Sequence, residues 1–328
     1  MSSGDESVLA IEDLSVSFTS DEGEHQVLDR VSISLGKNRI LGVAGESGCG
    51  KSVMALSILR LLPQPAGRIV SGRVLFDGMD LCRAEPEELY RIRGKRISMI
   101  FQEPMMALNP VQKIGRQIAE VYELHFPELS PAQVRDAVIE ILAQVGIPSA
   151  QTRIDEYPHQ LSGGMRQRVM IAMALAPRPD ILIADEPTTA LDVTIQGQIL
   201  ALLRQLQAEY GMSVIFITHD LGVIANLCDE VIIMYAGRVV EQAPTADLFN
   251  APSHPYTRGL LASTPRLDGT PKTRLNAIEG IVPAPAHFPP GCRFQDRCDA
   301  RQQDCEAINP ELQAVNAQHR VACLHWRD

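Results

Sequence analysis

Two glycines, a lysine and a serine stand at phosphate-binding spacing in Gly45-Glu46-Ser47-Gly48-Cys49-Gly50-Lys51-Ser52. In this pattern the loop's backbone N–H groups surround phosphates, the lysine reaches the terminal ones and the serine hydroxyl ligates magnesium. Two more strings follow in order, Leu161-Ser162-Gly163-Gly164-Met165 and Ile181-Leu182-Ile183-Ala184-Asp185-Glu186-Pro187. The last is an apolar run that ends in adjacent carboxylates. At average residue usage the first string arises by chance in roughly one chain in a hundred of this length, so all three in this order are not an accident.

Such residues need a scaffold. From about Val8 to Leu35, Leu14, Val16 and Phe18, then Val31, Ile33 and Leu35, alternate with polar positions, which predicts half-buried antiparallel strands. Ile40 to Ala44 is a short continuous apolar run entering the glycine loop, and Ser52 to Leu62 has helical spacing; together they predict a strand, loop and helix of a parallel sheet. Further buried strands are predicted at Ile181–Ala184 and Val214–Thr218, with a helix over about Val193 to Glu209 between them. Between Gln102 and Leu161, Ile114, Ile118 and Val121 share one helical face and Val134, Val138, Ile141 and Leu142 another, so a helical insertion over about 103–165 is expected. After about Asn250 prolines become frequent and periodicity fades, which predicts a separate appendage over 251–328, on or beside a domain of residues 1–250.

The chain has 328 residues, 45% of them hydrophobic and 21% charged, an ordinary globular balance. A net charge of -10 and a pI near 5.3 argue against a surface that holds nucleic acid. No run approaches the roughly 18 apolar residues that span a bilayer, and Met1 to Glu6 lacks a secretory pattern, so a cytoplasmic location is expected. Of seven cysteines, Cys292, Cys298, Cys305 and Cys323 crowd the tail. In a reducing compartment such a cluster points to metal rather than disulfides.

The three strings and their order resemble the nucleotide-binding subunit of an ATP-binding cassette (ABC) transporter, over about Val8 to Gln242. The resemblance implies an α/β P-loop NTPase cassette: a mixed or parallel sheet core, an antiparallel β subdomain, a helical subdomain and, here, an irregular C-terminal extension. It implies that two such subunits pair head to tail, each ATP lying between the phosphate loop of one and the Leu-Ser-Gly-Gly string of the other. Gly45, Ser47, Gly48, Cys49, Gly50, Lys51, Ser52 and Val53 would then cradle the phosphates and magnesium, and Ser162, Gly163 and Gly164 would face the partner's terminal phosphate. Met165 stands where glutamine is more common.

Several of these residues also have plain structural uses. Ser162 can cap the helix Met165 to Leu175, and Asp192 the helix that starts at Val193; the resemblance adds a contact across the dimer for Asp192. Phe18 can face the core or, as the resemblance implies, stack on adenine. Asp185 would hold magnesium through water and Glu186 would orient or deprotonate the attacking water. His219, after the third strand, resembles a histidine that contacts the terminal phosphate, and Gln102 a glutamine that senses magnesium and water. Met105 to Pro110 would meet a membrane partner, or form a simple loop with exposed methionines.

The tail string Pro252-Ser253-His254-Pro255-Tyr256-Thr257-Arg258-Gly259-Leu260-Leu261 resembles the extension of ATPases from oligopeptide and dipeptide importers, a group that includes nickel and glutathione importers. Its cysteines run C-x5-C-x6-C-x17-C, without the close pair usual for zinc and in neither ferredoxin spacing. Four thiolates suit a [4Fe-4S] cluster, which the resemblance implies; zinc and free thiols stay open. His287, His319 and His325 are expected to be solvated rather than ligands. The expected whole is an ATPase subunit on the cytoplasmic face of the cell membrane. Its partners would be a second ABC ATPase, for which the resemblance favours a different chain, two membrane-spanning permeases and indirectly an extracytoplasmic peptide-binding protein. Cargo of nickel, glutathione or antimicrobial peptide, and a soluble cassette ATPase outside transport, are the alternatives.

Overall fold

A computed structural model describes residues 7–21, 23–102, 108–189, 191–263 and 278–327. They fall into two compact units, one of residues 1–84 with 216–328 and the other of residues 85–215. The strands in chain order are β1 (Ser7–Ser20), β2 (Gly23–Gly36), β3 (Ile40–Ala44), β4 (Gly67–Phe76), β5 (Met79–Asp80), β6 (Ile97–Ile100), β7 (Ile181–Asp185), β8 (Ser213–Ile217), β9 (Glu230–Tyr235), β10 (Arg238–Pro244), β11 (Gln313–Ala314) and β12 (Arg320–Val321).

In the first unit β1 pairs antiparallel with both β2 and β4, and β5 pairs with β4. The predicted alternation holds for Leu14 and Val16, but Ser15 and Ser17 are buried too. Register shifts around Leu14 and Val16 are the reason, since an irregular pairing turns successive side chains off the strict period of two. All five residues of β3 are buried, and β3 lies parallel to β9, from Leu41 opposite Glu230 to Ala44 opposite Ile233. β10 returns antiparallel to β9. The helix after the glycine loop spans Lys51–Ile58, shorter than its spacing predicts, because Arg60 takes a left-handed φ of 50° and Pro63 follows.

The proline-rich tail belongs to this same unit. Its strand β12 pairs with β10 and with β11, and Val321 is fully buried. Among the described residues between helix Pro255–Ala262 and those strands it makes single 3-10 turns, at Pro285–His287, Gln295–Arg297 and Gln303–Glu306. In the second unit β6 runs parallel to β7. Helices Ile114–His125 and Pro131–Gln144 bury the predicted Ile114, Ile118, Val134, Val138, Ile141 and Leu142, while Val121 is half-buried. Among the described residues no helix is long and apolar enough to cross a membrane.

Candidate functional site

The glycine loop joins β3 to helix Lys51–Ile58, and its three glycines, Gly45, Gly48 and Gly50, all take a positive φ. Gly45 has φ 150°, and a Cβ there would come 2.2 Å from the Met234 carbonyl oxygen. Gly50 caps the helix at φ 103°. At Gly48 a Cβ would meet nothing within 4 Å, so the loop's outer edge is open. Lys51 is 6% exposed, and its ammonium donates to the Gly45 carbonyl at 2.7 Å and the Glu46 carbonyl at 3.0 Å, with the Cys49 sulfur at 3.8 Å. Those partners are neutral, and a buried cation is stabilised far more by an anion. Burial pushes the Cys49 thiol up, so it adds no charge. Ser52 and Val53 are half-buried at the helix start, and Ser47 is exposed. Phe18 is half-buried beside Gly67, whose Cβ would lie 3.0 Å from the ring; Phe18 is thus not a core residue. His219 is exposed just beyond β8.

In the second unit Asp185 closes β7 and is 3% exposed. Glu186 follows in the left-handed region, φ 47°, a conformation that costs energy for a residue with a side chain. It turns the carboxylate out of the strand line. Its Oε2 accepts from Thr189 Oγ1 at 2.8 Å and from Gln102 Nε2 at 3.2 Å. Gln167 donates to the Pro187 carbonyl, tying the helix that follows the Leu-Ser-Gly-Gly string to this turn. That helix, Gly163–Leu175, starts at Ser162, whose Oγ accepts from Met165 N–H at 3.3 Å. Asp192 caps helix Val193–Tyr210 through Ile195 N–H at 2.9 Å. The two helix starts are adjacent, for a Cβ on Gly164 would lie 2.9 Å from Ile195 Cγ2. Both Ser162 and Gly163 are exposed, so N–H groups of a helix N-terminus face outward, as anion binding requires. Met105, Met106 and Ala107 lie outside the described residues, and Leu108 beyond them is buried.

In the tail, Cys292, Cys298, Cys305 and Cys323 line one cavity of about 20 Å³ together with His254, Phe294 and His325. The Cys292 N–H donates to the Cys305 carbonyl at 2.8 Å, so cysteines from separate turns are held together by backbone. Burial is the main reason the thiols are pushed up, Cys292 to about 11 and Cys298 and Cys323 in the same direction. A cation bound there would have to displace their protons, so uptake should strengthen as pH rises. Four convergent thiols on one cavity fit a thiophilic metal group. Two histidines depart from expectation. His319 is 2% exposed, with Nε2 2.7 Å from buried Glu241, and His325 lies 2.8 Å from Asp304; its ring and that carboxylate, with Cys305, could themselves hold an ion. The His319 ring is drawn from solvent because the tail folds against β10, where Glu241 sits, while His325 is half-buried. His287 is exposed as expected.

Sequence reasoning missed Thr189, Glu241 and the Arg297 that meets Glu46. Thr189 stands three residues after Glu186 and was within reach of motif reading; Arg297 and Glu46 are 251 residues apart, and no local pattern joins them.

Residues 28–189 match the family model described as ABC transporter, and residues 240–305 the one described as oligopeptide/dipeptide transporter, C-terminal region. The chain is 48% identical to a probable peptide ABC transporter ATP-binding protein of Sinorhizobium fredii, covering 98% of this chain and 95% of that one. It is also 48% identical to a dipeptide transport ATP-binding protein of Bacillus subtilis, covering 97% and 94%. Among solved structures, the ATP-binding cassette MJ0796, in a dimeric post-hydrolysis state bound to ADP and Pi, superposes with a TM-score of 0.65 at 27% identity, over 72% of this chain and 98% of that one.

Proposed function

We propose, from the premise that this chain belongs to the ABC transporter ATP-binding proteins with an oligopeptide/dipeptide transporter C-terminal region, that it is the ATP-hydrolysing motor of a membrane importer for dipeptides or oligopeptides. The observation that carries the reading is Lys51, a buried ammonium held over an open glycine loop by neutral partners. Gly45, Ser47, Gly48, Cys49, Gly50, Lys51, Ser52 and Val53 cradle the phosphates, and Phe18 stacks on the base. Ser52, Asp185 and Gln102 hold magnesium, which would neutralise developing phosphate charge. Glu186, fixed by Thr189 and Gln102, orients the attacking water and takes its proton; His219 contacts the terminal phosphate. Ser162, Gly163, Gly164 and Asp192 serve the ATP held by a second ATPase subunit, in keeping with the dimer of the MJ0796 cassette.

Two bound ATPs favour the closed pair, and loss of the terminal phosphates removes that preference. Residues 1–250 act as the ATP-binding domain, with the helical insertion at about 103–165. Residues 251–328 form the importer-type extension, in which Cys292, Cys298, Cys305 and Cys323 hold a [4Fe-4S] cluster. The chain works on the cytoplasmic face of the membrane, through two permeases fed by an extracytoplasmic peptide-binding protein.

A mild-detergent pull-down from native membranes tests the assembly. Recovery of two membrane-spanning proteins and a second cassette ATPase, with ATPase activity raised by peptide, is expected; ribosomal or DNA-bound proteins alone would overturn it, and stimulation by nickel or glutathione would redirect the cargo. Anaerobic purification tests the cluster: iron with inorganic sulfide is expected, and one zinc without sulfide overturns that assignment.

A further inference from the structure

The first residue after the loop's opening glycine is gripped by the tail. Arg297 Nη1 and Nη2 meet the two carboxylate oxygens of Glu46 at 2.7 and 3.0 Å, the two-point geometry that makes arginine and carboxylate pairs strong and directional. The Arg297 side chain is 5% exposed, and the Glu279 carbonyl accepts from its Nε at 2.8 Å. The Glu46 backbone N–H donates to the hydroxyl of fully buried Tyr256 at 2.9 Å. Tyr256 is wedged between Tyr235, edge-on with ring centres 4.7 Å apart, and Phe294 at 5.2 Å. Phe294 and Arg297 belong to the short segment between Cys292 and Cys298. Backbone and side chain of Glu46 are thus both fixed by tail residues.

Two consequences follow for an anion in the loop. The loop binds phosphate only if its N–H groups converge, and Glu46 anchored from outside holds the first turn in place. An unpaired Glu46 carboxylate would also repel the phosphates, and Arg297 neutralises it. We propose that Arg297 is a positioning residue for nucleotide binding, acting through Glu46 to hold the phosphate loop and neutralise its one carboxylate. The inference rests on the reading that this loop binds ATP.

The test is titration of the full-length chain with a fluorescent methylanthraniloyl ATP and magnesium, using Lys51→Ala as the control for the loop itself. Arg297→Ala is expected to raise Kd about tenfold, an ordinary coupling between two sites, with Arg297→Lys recovering part of the loss. In a Glu46→Ala background the same change should have almost no further effect. In the assembled transporter KM for ATP should rise while kcat holds, a split that general loss of structure would not give. A Kd within twofold of the parent, or an equal tenfold loss in both backgrounds, overturns the proposal. If Arg297→Ala does not fold, Arg297→Lys and Glu46→Gln read the same contact, and parental affinity in both would overturn it. Binding that survives Lys51→Ala unchanged would instead defeat the nucleotide reading and the inference with it.

Discussion

Glu186 shows how a single residue is set for chemistry. Its left-handed backbone, φ 47°, persists because the turn after β7 holds it, with Thr189 and Gln102 on the carboxylate. Glu186→Gln keeps that packing and removes the proposed base. In the assembled transporter, turnover should fall about 10²–10⁴-fold, the usual size of general-base catalysis, while ATP stays bound; phosphate release and nucleotide retention measure the two. Lys51→Ala should do the reverse, weakening binding itself, read as a raised Kd. Both carboxylates at 185 and 186 were legible in sequence from their place after an apolar run. The φ of Glu186 was not, because backbone conformation at a strand end is imposed by what packs around it.

At the scale of elements, the helix Gly163–Leu175 separates capping from ligand contact. Ser162→Asp retains an oxygen that can accept from Met165 N–H, so the melting temperature should stay within a few degrees of the parent. Placed at an outward-facing helix start, the new charge would repel a phosphate, so ATPase activity of the assembled pair should collapse; retained activity would reduce Ser162 to a cap. Helix Pro255–Ala262 makes a different prediction, about acid. His254 is its cap, accepting from Tyr256 N–H through Nδ1 at 3.0 Å, and burial holds the ring neutral, with its pKa lowered from 6.5 to about 3. The unfolded chain therefore takes up the proton first, and stability is lost as pH falls from about 6.5 toward 3. From pH 7 to 5 the loss is about 2 kcal/mol. His254→Asn keeps a capping oxygen without titrating, so its stability by denaturant unfolding should change less over that interval.

For the whole molecule, the expectation is that the chain turns over slowly alone and is driven by its partners. Reconstituted with two permeases, a second ATPase and the external binding protein, ATPase activity should rise on adding dipeptide, by a factor in the range of about 5 to 150 that a typical coupling energy allows. Cargo is legible only through relatives, whose printed names carry peptide and dipeptide transport. The tail is part of the compact unit that holds the phosphate loop, and metal binding at the four-thiol site proposed there should strengthen with pH as buried thiols lose protons; a proton-release assay during metal loading checks the sign.

By itself the sequence determined what depends on residues close together in the chain. Gly45 to Ser52 specify a phosphate loop because its turn and N–H groups are local, Ser162 and Asp192 announce helix starts, and the apolar runs of β3 and β7 announce buried strands. Where the proline-rich tail would pack was beyond such reading. Only the tertiary structure decided that β12 joins β10, that His319 is buried on Glu241, that four cysteines share one cavity and that Arg297 reaches Glu46. These are pairings across tens to hundreds of residues, set by which buried charges and apolar faces satisfy one another once the chain is closed, and no periodicity in the sequence encodes them.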